Sequence, residues 1–292
     1  MPAARSGAMG NGTLAAVEGE TSLDVLSVPI RGRSAAGRES YYRLPTLRSA
    51  LELGRCPDTL VSIPTVFLSH AHLDHAAGIA TYASQRTLQG LAEGRVHVPA
   101  ETHDDFSRIL SIHVRLEGFE SYRASLVPLS AGDRVEIRND LVAEAFAGSH
   151  RIPTLGFTFL DRRKKLKPEL DGAGPSEIAR ARESGREISD TVETPILSYT
   201  GDCDAGIFEK APRIFDSRIL LIECTFLRPG EEERARGYGH LHLSDITARA
   251  SEFRNDAIVL THFSAKYSKD EILTRLADAL PASIKERVTA FV

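Results

Sequence analysis

The run Ser69-His70-Ala71-His72-Leu73-Asp74-His75 places four candidate metal ligands within six residues. Such an H-x-H-x-D-H pattern limits the folds open to the chain, because its donors must be delivered together to one rigid edge. Thr65-Val66-Phe67-Leu68, just before it, has the character of a buried strand, within a predicted strand 61–69. The alanine-rich stretch that starts at Asp74 predicts a helix to about Gln85. The cluster then sits at the C-terminal end of a strand, where open α/β sheets hold their chemistry. His70 and His72 are two residues apart, so in extended backbone they point the same way and can share one metal. Asp74 and His75 lie at the turn into the helix and can reach a second. Neutral imidazoles with a carboxylate suit zinc, and manganese stays open.

The chain has 292 residues, 42% of them hydrophobic, enough for one large α/β domain over 21–292. Residues 1–20, rich in Ala and Gly, are expected to form a mobile tail and not a signal peptide. No stretch approaches the ~18–20 apolar residues of a membrane span. The three cysteines, Cys56, Cys203 and Cys224, form no C-x-x-C pair, which points to a reducing, cytoplasmic setting. Cys203 is expected to be a buried thiol and not a ligand. A net charge of −4 means that any contact with a polyanion needs a local basic patch.

Strands are predicted at Val25–Ile30, Leu47–Leu53, Val96–Pro99, within 124–149, and at Ile196–Thr200, Ile219–Ile222, Ala257–Leu260 and Val288–Val292. Helices are predicted at Thr102–Glu117, Ser244–Phe253 and after a capping box at Ser268–Glu271. Residues 31–45 form a loop or hairpin. Residues 161–192 interrupt the core with a basic arm containing Arg162, Arg163, Lys164, Lys165 and Lys167. Alternating strands and helices give α/β layering. Three further candidate ligands, His150, Asp202 and His262, each follow an apolar strand and would emerge at the same sheet edge.

Together these segments resemble the five-motif pattern of the metallo-β-lactamase superfamily, and the second half resembles its ribonuclease Z branch. Leu260-Thr261-His262-Phe263-Ser264-Ala265-Lys266-Tyr267 is similar to that branch's THFSxRY ending, with Lys266 for Arg. Leu221–Phe226 is similar to its EATF segment, Gly239-His240 to GHST, Tyr199-Thr200-Gly201-Asp202-Cys203 to YTGDT, and His150–Phe157 to its third motif. The similarity covers roughly residues 44–292. A Gly-rich LGTGGG opening is not found; Arg31–Ser34 occupies that area. The arm is short, with a single Gly174-Pro175.

The resemblance implies an αβ/βα sandwich of two β-sheets flanked by helices. It implies two zinc ions, the first on His70, His72 and His150, the second on Asp74, His75 and His262, with Asp202 between them. Two metals at ~3.5–4 Å clamp a displacement at phosphorus and acidify a bound water to hydroxide. It further implies endonucleolytic removal of the 3′ trailer from tRNA precursors by that metal-bound hydroxide, and a homodimer in which one arm serves the other subunit. Glu223 would charge and orient His240, the acid for the leaving oxygen, with His242 a competing candidate. Asp74 is a candidate proton acceptor, and the arm cations and Lys266 are candidate RNA contacts. The alternative is a hydrolase of this fold acting on a small molecule: a cyclic nucleotide, lactone or thioester.

Overall fold

The structure, a computed structural model, describes residues 19–292. Residues 1–18, most of the expected tail, lie outside the described residues. Glu20 is already packed: it receives Arg43 Nε at 3.0 Å, and both side chains are buried. The domain therefore starts before residue 21.

Two seven-stranded sheets face each other. The first runs in chain order: β1 (Thr21–Val25), β2 (Val28–Ala35), β3 (Glu39–Leu44), β4 (Ser49–Leu51), β5 (Thr65–Phe67), β6 (Gly94–Pro99) and β7 (Ala124–Leu129). The second contains β8 (Arg134–Arg138), β9 (Leu141–Ala147), β10 (Leu155–Leu166), β11 (Ser189–Tyr199), β12 (Ile219–Glu223), β13 (Ala257–Thr261) and β14 (Val288–Ala290), again in chain order. In each sheet the first four strands pair antiparallel and the rest parallel. The helices are α1 (Asp58–Val61), α2 (Leu73–Ala76), α3 (Ile79–Leu88), α4 (His103–Glu117), α5 (Pro175–Glu183), α6 (Ile207–Lys210), α7 (Glu232–Tyr238), α8 (Leu243–Ala248), α9 (Lys269–Ala279) and α10 (Ala282–Lys285).

One apolar core lies between the sheets, where Tyr42, Phe67, Phe157, Phe159 and Phe291 interlock. A second lies between the first sheet and α3 and α4, through Tyr82, Ala83, Phe106 and Leu110. A third, with Ile207, Ile246, Ile272 and Leu276, joins α6, α8 and α9 to the second sheet. Helix, sheet, sheet, helix is the expected sandwich. Each sheet buries both faces, which is why its parallel strands are apolar runs and not alternations.

Several predicted elements differ. Val25–Ile30 is not one strand but the bend between β1 and β2. Leu26 and Ser27 both adopt left-handed φ, 48° and 69°, as a two-residue hairpin turn requires. The strand predicted over 61–69 is confined to Thr65–Phe67, because Val61 ends α1. The helix predicted to run on from Asp74 is divided into α2 and α3: the Gly78 N–H turns to Leu53 O at 2.6 Å instead of continuing the ladder. The helix predicted over Ser244–Phe253 stops at Ala248. The 161–192 segment starts and ends as strand, with Asp161 to Leu166 paired against Thr194 to Ser189 and α5 beyond them. Ser268 does cap α9, accepting from Glu271 N at 3.1 Å.

The loop holding the histidine motif rests on Gly54. A Cβ there would lie 1.8 Å from Asp74 O and 2.7 Å from Ser40 N, both backbone atoms. Gly54→Ala is therefore expected to destabilise the fold by about 3 kcal/mol, read as a lower midpoint in urea. An unchanged midpoint would mean that the loop can yield at no cost.

Candidate metal centre

Six segments deliver side chains to the edge where the two sheets meet. His70 and His72 leave β5, and Asp74 and His75 lie in α2. His150 follows β9, Asp202 follows β11, Glu223 ends β12 and His262 follows β13. The donor atoms of His70, His72, His150 and Asp202 lie within 4.8 Å of one another, as do those of Asp74, His75 and His262. All seven sequence-predicted ligands are thus brought together. Asp202 stands between the two groups: its Oδ2 is 3.6 Å from His70 Nε2, and its Oδ1 is 3.3 Å from His75 Nε2.

The partners of each ring decide which nitrogen is free. His70 Nδ1 bonds Ser69 Oγ at 2.8 Å, and His150 Nδ1 donates to Gly239 O at 2.8 Å. His262 Nδ1 donates to Thr225 Oγ1 at 3.0 Å, and that hydroxyl donates onward to Glu223 Oε2 at 2.6 Å. The freed nitrogens turn inward. His70 Nε2 and His72 Nδ1 are 3.0 Å apart, His150 Nε2 is 3.4 Å from the same His72 atom, and His75 Nε2 and His262 Nε2 are 3.2 Å apart. Lone pairs at such distances repel unless a cation lies among them. The donor set therefore fits a divalent metal. Burial above all, and then the neighbouring imidazoles, hold His70 well below its ordinary pKa; burial and His150 lower His72. Both are kept in the neutral, ligating form.

Burial alone would raise the Asp74 carboxyl, but His262 and His75 outweigh it and hold it below the usual range. Its Oδ2 also accepts from Gly37 N at 2.7 Å. Gly37 is at the tip of the β2–β3 hairpin, so the Arg-rich segment 31–43 is a hairpin that closes one side of the site. Its Ser34 Oγ accepts from His262 N at 3.0 Å.

Glu223 and His240 meet at 2.7 Å through Oε1 and Nδ1. The same carboxylate accepts from the backbone N–H of Cys203, Thr225 and Leu241. Burial would lower His240, but Glu223 and then Asp202 outweigh it and raise it to about 9. The ring lies 5.3 Å from His150 and 5.4 Å from His262, centre to centre. His242 points elsewhere: it caps α8, bonding Ser244, and its Nε2 faces Arg228 O at 3.0 Å. Of the two histidines, it is His240 that meets Glu223. Cys203 and Cys224 are buried, and burial raises both thiols well above their ordinary range.

The other sequence-predicted contacts are less free than their composition suggests. Arg162 pairs with Glu136 and Glu193, Arg163 with Asp161, and Lys167 with Glu187 and Asp190. Lys266 is taken by Glu231. Lys164 and Lys165 are exposed on β10, and among the described residues they form no ion pair.

Sequence reasoning missed Glu52. Fully buried, it accepts from Ser69 N at 3.2 Å and from Tyr199 OH at 2.9 Å, and it faces His75 Nδ1 at 3.4 Å. The available signal was a charge inside the apolar run Ala50-Leu51-Glu52-Leu53, since an acidic residue is rarely placed there without a task. Glu52 and His262 both hold left-handed φ, 64° and 57°, which side chains with a Cβ avoid. Each is pinned: Glu52 N donates to Phe67 O at 2.9 Å, and His262 N donates to Ser34 Oγ at 3.0 Å. Strain of this kind concentrates where geometry is needed for function.

The Beta-lactamase superfamily domain matches residues 43–263. The chain is 35% identical to tRNase Z TRZ1 of Arabidopsis thaliana over 277 residues, covering 94% of this chain and 98% of that protein. It is 34% identical to the chloroplastic tRNase Z TRZ2 of the same plant, covering 86% of this chain and 71% of that protein. The crystal structure of the short form of human tRNase Z superposes with a TM-score of 0.58 at 18% identity, covering 89% of this chain and 95% of that one. At that identity the likeness concerns the fold.

Glu52→Ala should free the His75 ring and lower divalent-metal affinity by ~10–100-fold, measured by chelator competition. Glu52→Gln, which keeps one acceptor oxygen, should lose less. Wild-type affinity in Glu52→Ala would show that His75 needs no such support.

Proposed function

Since the chain belongs to the ribonuclease Z family of the β-lactamase superfamily, we propose that it is a metal-dependent endoribonuclease that removes the 3′ trailer from tRNA precursors. The observation that carries this beyond family membership is the Glu223–His240 pair, 2.7 Å apart beside the ligand cluster. Hydrolysis of an RNA linkage expels a ribose O3′, a poor leaving group that needs a proton. A small molecule with a stabilised leaving group does not need one.

We assign His70, His72 and His150 to one divalent cation and Asp74, His75 and His262 to a second, with Asp202 shared. Zinc is the favoured ion. The charge balance supports two: Asp74, Asp202 and Glu52 bring three carboxylates to the cluster, while Glu223 is offset by its own histidine. Bound there, such ions would polarise the scissile phosphate and acidify a water. Asp74 would accept that water's proton. His240, charged near neutral pH, donates to the departing O3′, and Glu223 fixes its ring and stabilises its charge.

Lys164 and Lys165, on the exposed arm, are assigned to tRNA phosphates, with Arg162, Arg163 and Lys167 holding the hairpin that presents them. A homodimer would let one arm serve the other subunit's site. No described helix is long and apolar enough to cross a membrane. The three free thiols favour the cytoplasm.

A precursor bearing a trailer and bis(p-nitrophenyl) phosphate would be assayed side by side on metal-loaded protein. His240→Ala should lower kcat on the precursor by ~10²–10⁴ and leave the diester almost untouched, because p-nitrophenolate departs without a proton. Equal losses on both would remove His240 as the acid. Asp74→Ala should fail on both substrates. Turnover of the diester alone by the wild type would strike tRNA from the reading. Replacing Lys164 and Lys165 with Ala should reduce the salt dependence of precursor binding by about two counterions, and an unchanged slope would sink the arm's role.

A further inference from the structure

Beside the Glu223–His240 pair lies a row of rings and cations that the hydrolytic chemistry does not use. α7 ends at Tyr238, followed directly by Gly239 and His240. The Arg234 guanidinium, one turn earlier, lies between two rings, 5.8 Å from the Phe226 centroid and 5.7 Å from that of Tyr238. Phe226 is buried, and its ring is 6.3 Å from His240. The row His240, Phe226, Arg234, Tyr238 therefore leads from the acid outward to solvent, where Tyr238 is 51% exposed.

The other cations stacked on this group of rings have their charge taken. Lys266 rests over Phe226 and Tyr267 but is bound by Glu231. Arg228 rests over Tyr267 and forms two bonds to Glu271, at 2.7 and 2.8 Å. Arg234 is different. Among the described residues it makes no ion pair and no side-chain hydrogen bond, and only aromatic faces hold it. A guanidinium stacked in this way keeps its N–H fork pre-aimed and unspent, the condition for gripping a phosphate in two places. An exposed tyrosine face next to it suits a nucleobase of either kind, since every base has a π-face.

We propose that Arg234 and Tyr238 form a nucleotide subsite for the residue immediately 5′ of the cut. This rests on the endoribonuclease reading above. The direction follows from the chemistry: His240 protonates the O3′ that leaves, and that oxygen belongs to the nucleotide upstream of the scissile phosphate. The row beyond His240 then meets that nucleotide and not the trailer. Tyr238 stacks on its base, and Arg234 takes the phosphate on its 5′ side. Stacking without base-edge contacts accepts any base there, as an enzyme serving many different tRNAs requires.

The test uses the full chain, metal-loaded, on two precursors, one intact and one abasic at the nucleotide 5′ of the cut, with bis(p-nitrophenyl) phosphate as a third substrate. Tyr238→Ala should lower kcat/KM on the intact precursor by ~10-fold or more and match wild type on the abasic one. Tyr238→Phe should restore the loss. Arg234→Ala should lower the salt slope of precursor binding by about 0.7–0.9. Thermal melting of each variant checks the fold. Equal losses on the intact and abasic precursors, or losses as large on the small diester, would make Tyr238 and Arg234 structural and overturn the subsite. Unchanged variants with an active wild type would overturn it while leaving the endoribonuclease reading intact. A wild type that hydrolyses the diester and cuts no precursor would remove both.

Discussion

Five imidazoles and two carboxylates turned toward one another in a buried pocket cannot satisfy themselves. Their inward nitrogens lie 3.0–3.4 Å apart, and the outer nitrogens of His70, His150 and His262 are already engaged by the protein, which leaves the inward ones crowded against one another. Only positive charge among them resolves the conflict. The remainder of the fold reads as a means of holding that unfavourable arrangement ready. Two sheets are stacked so that their strand ends share an edge, and two residues there, Glu52 and His262, are held in backbone conformations they would not choose alone.

The support is layered. Thr225 ties His262 to Glu223, and Glu223 ties the candidate ligand cluster to His240. The cluster and the proposed proton donor are therefore not independent parts: a shift in β12 would disturb both. Gly239 couples them a second way, since its carbonyl orients His150 while its own position sets His240. A Cβ at Gly239 would come within 3.1 Å of His150 Nδ1, and its φ of 75° lies in the left-handed region, so a glycine suits the position on both counts.

The convergence of the seven candidate ligands was legible because their signal is local. Four lie in one hexapeptide, and the other three each terminate an apolar run. The sandwich was legible through its strand and helix alternation and the family resemblance. What the sequence concealed are properties decided by contacts between distant segments. Glu52 matters because Ser69 and Tyr199 point at it, and neither is near it in the chain. His240 and His242 could not be separated by spacing; one faces Glu223 and the other caps α8. The break at Gly78 follows from its docking on Leu53, which no periodicity records.

Charge distribution shows the same limit and carries the argument furthest. A net charge of −4 and a basic run on the arm together suggest that RNA is gripped by the run. In the fold most of that run is already neutralised by its own carboxylates, and so is Lys266 in the terminal motif. A cation paired with a carboxylate presents little net positive charge to a phosphate while the pair holds. The cations that matter for a polyanion are those held in place without being neutralised. Lys164 and Lys165 meet the second condition by exposure at the arm. Arg234 meets both, fixed by aromatic faces that cost it no charge. An acidic chain can therefore direct RNA with few residues, provided that they stand where the reacting phosphate must pass.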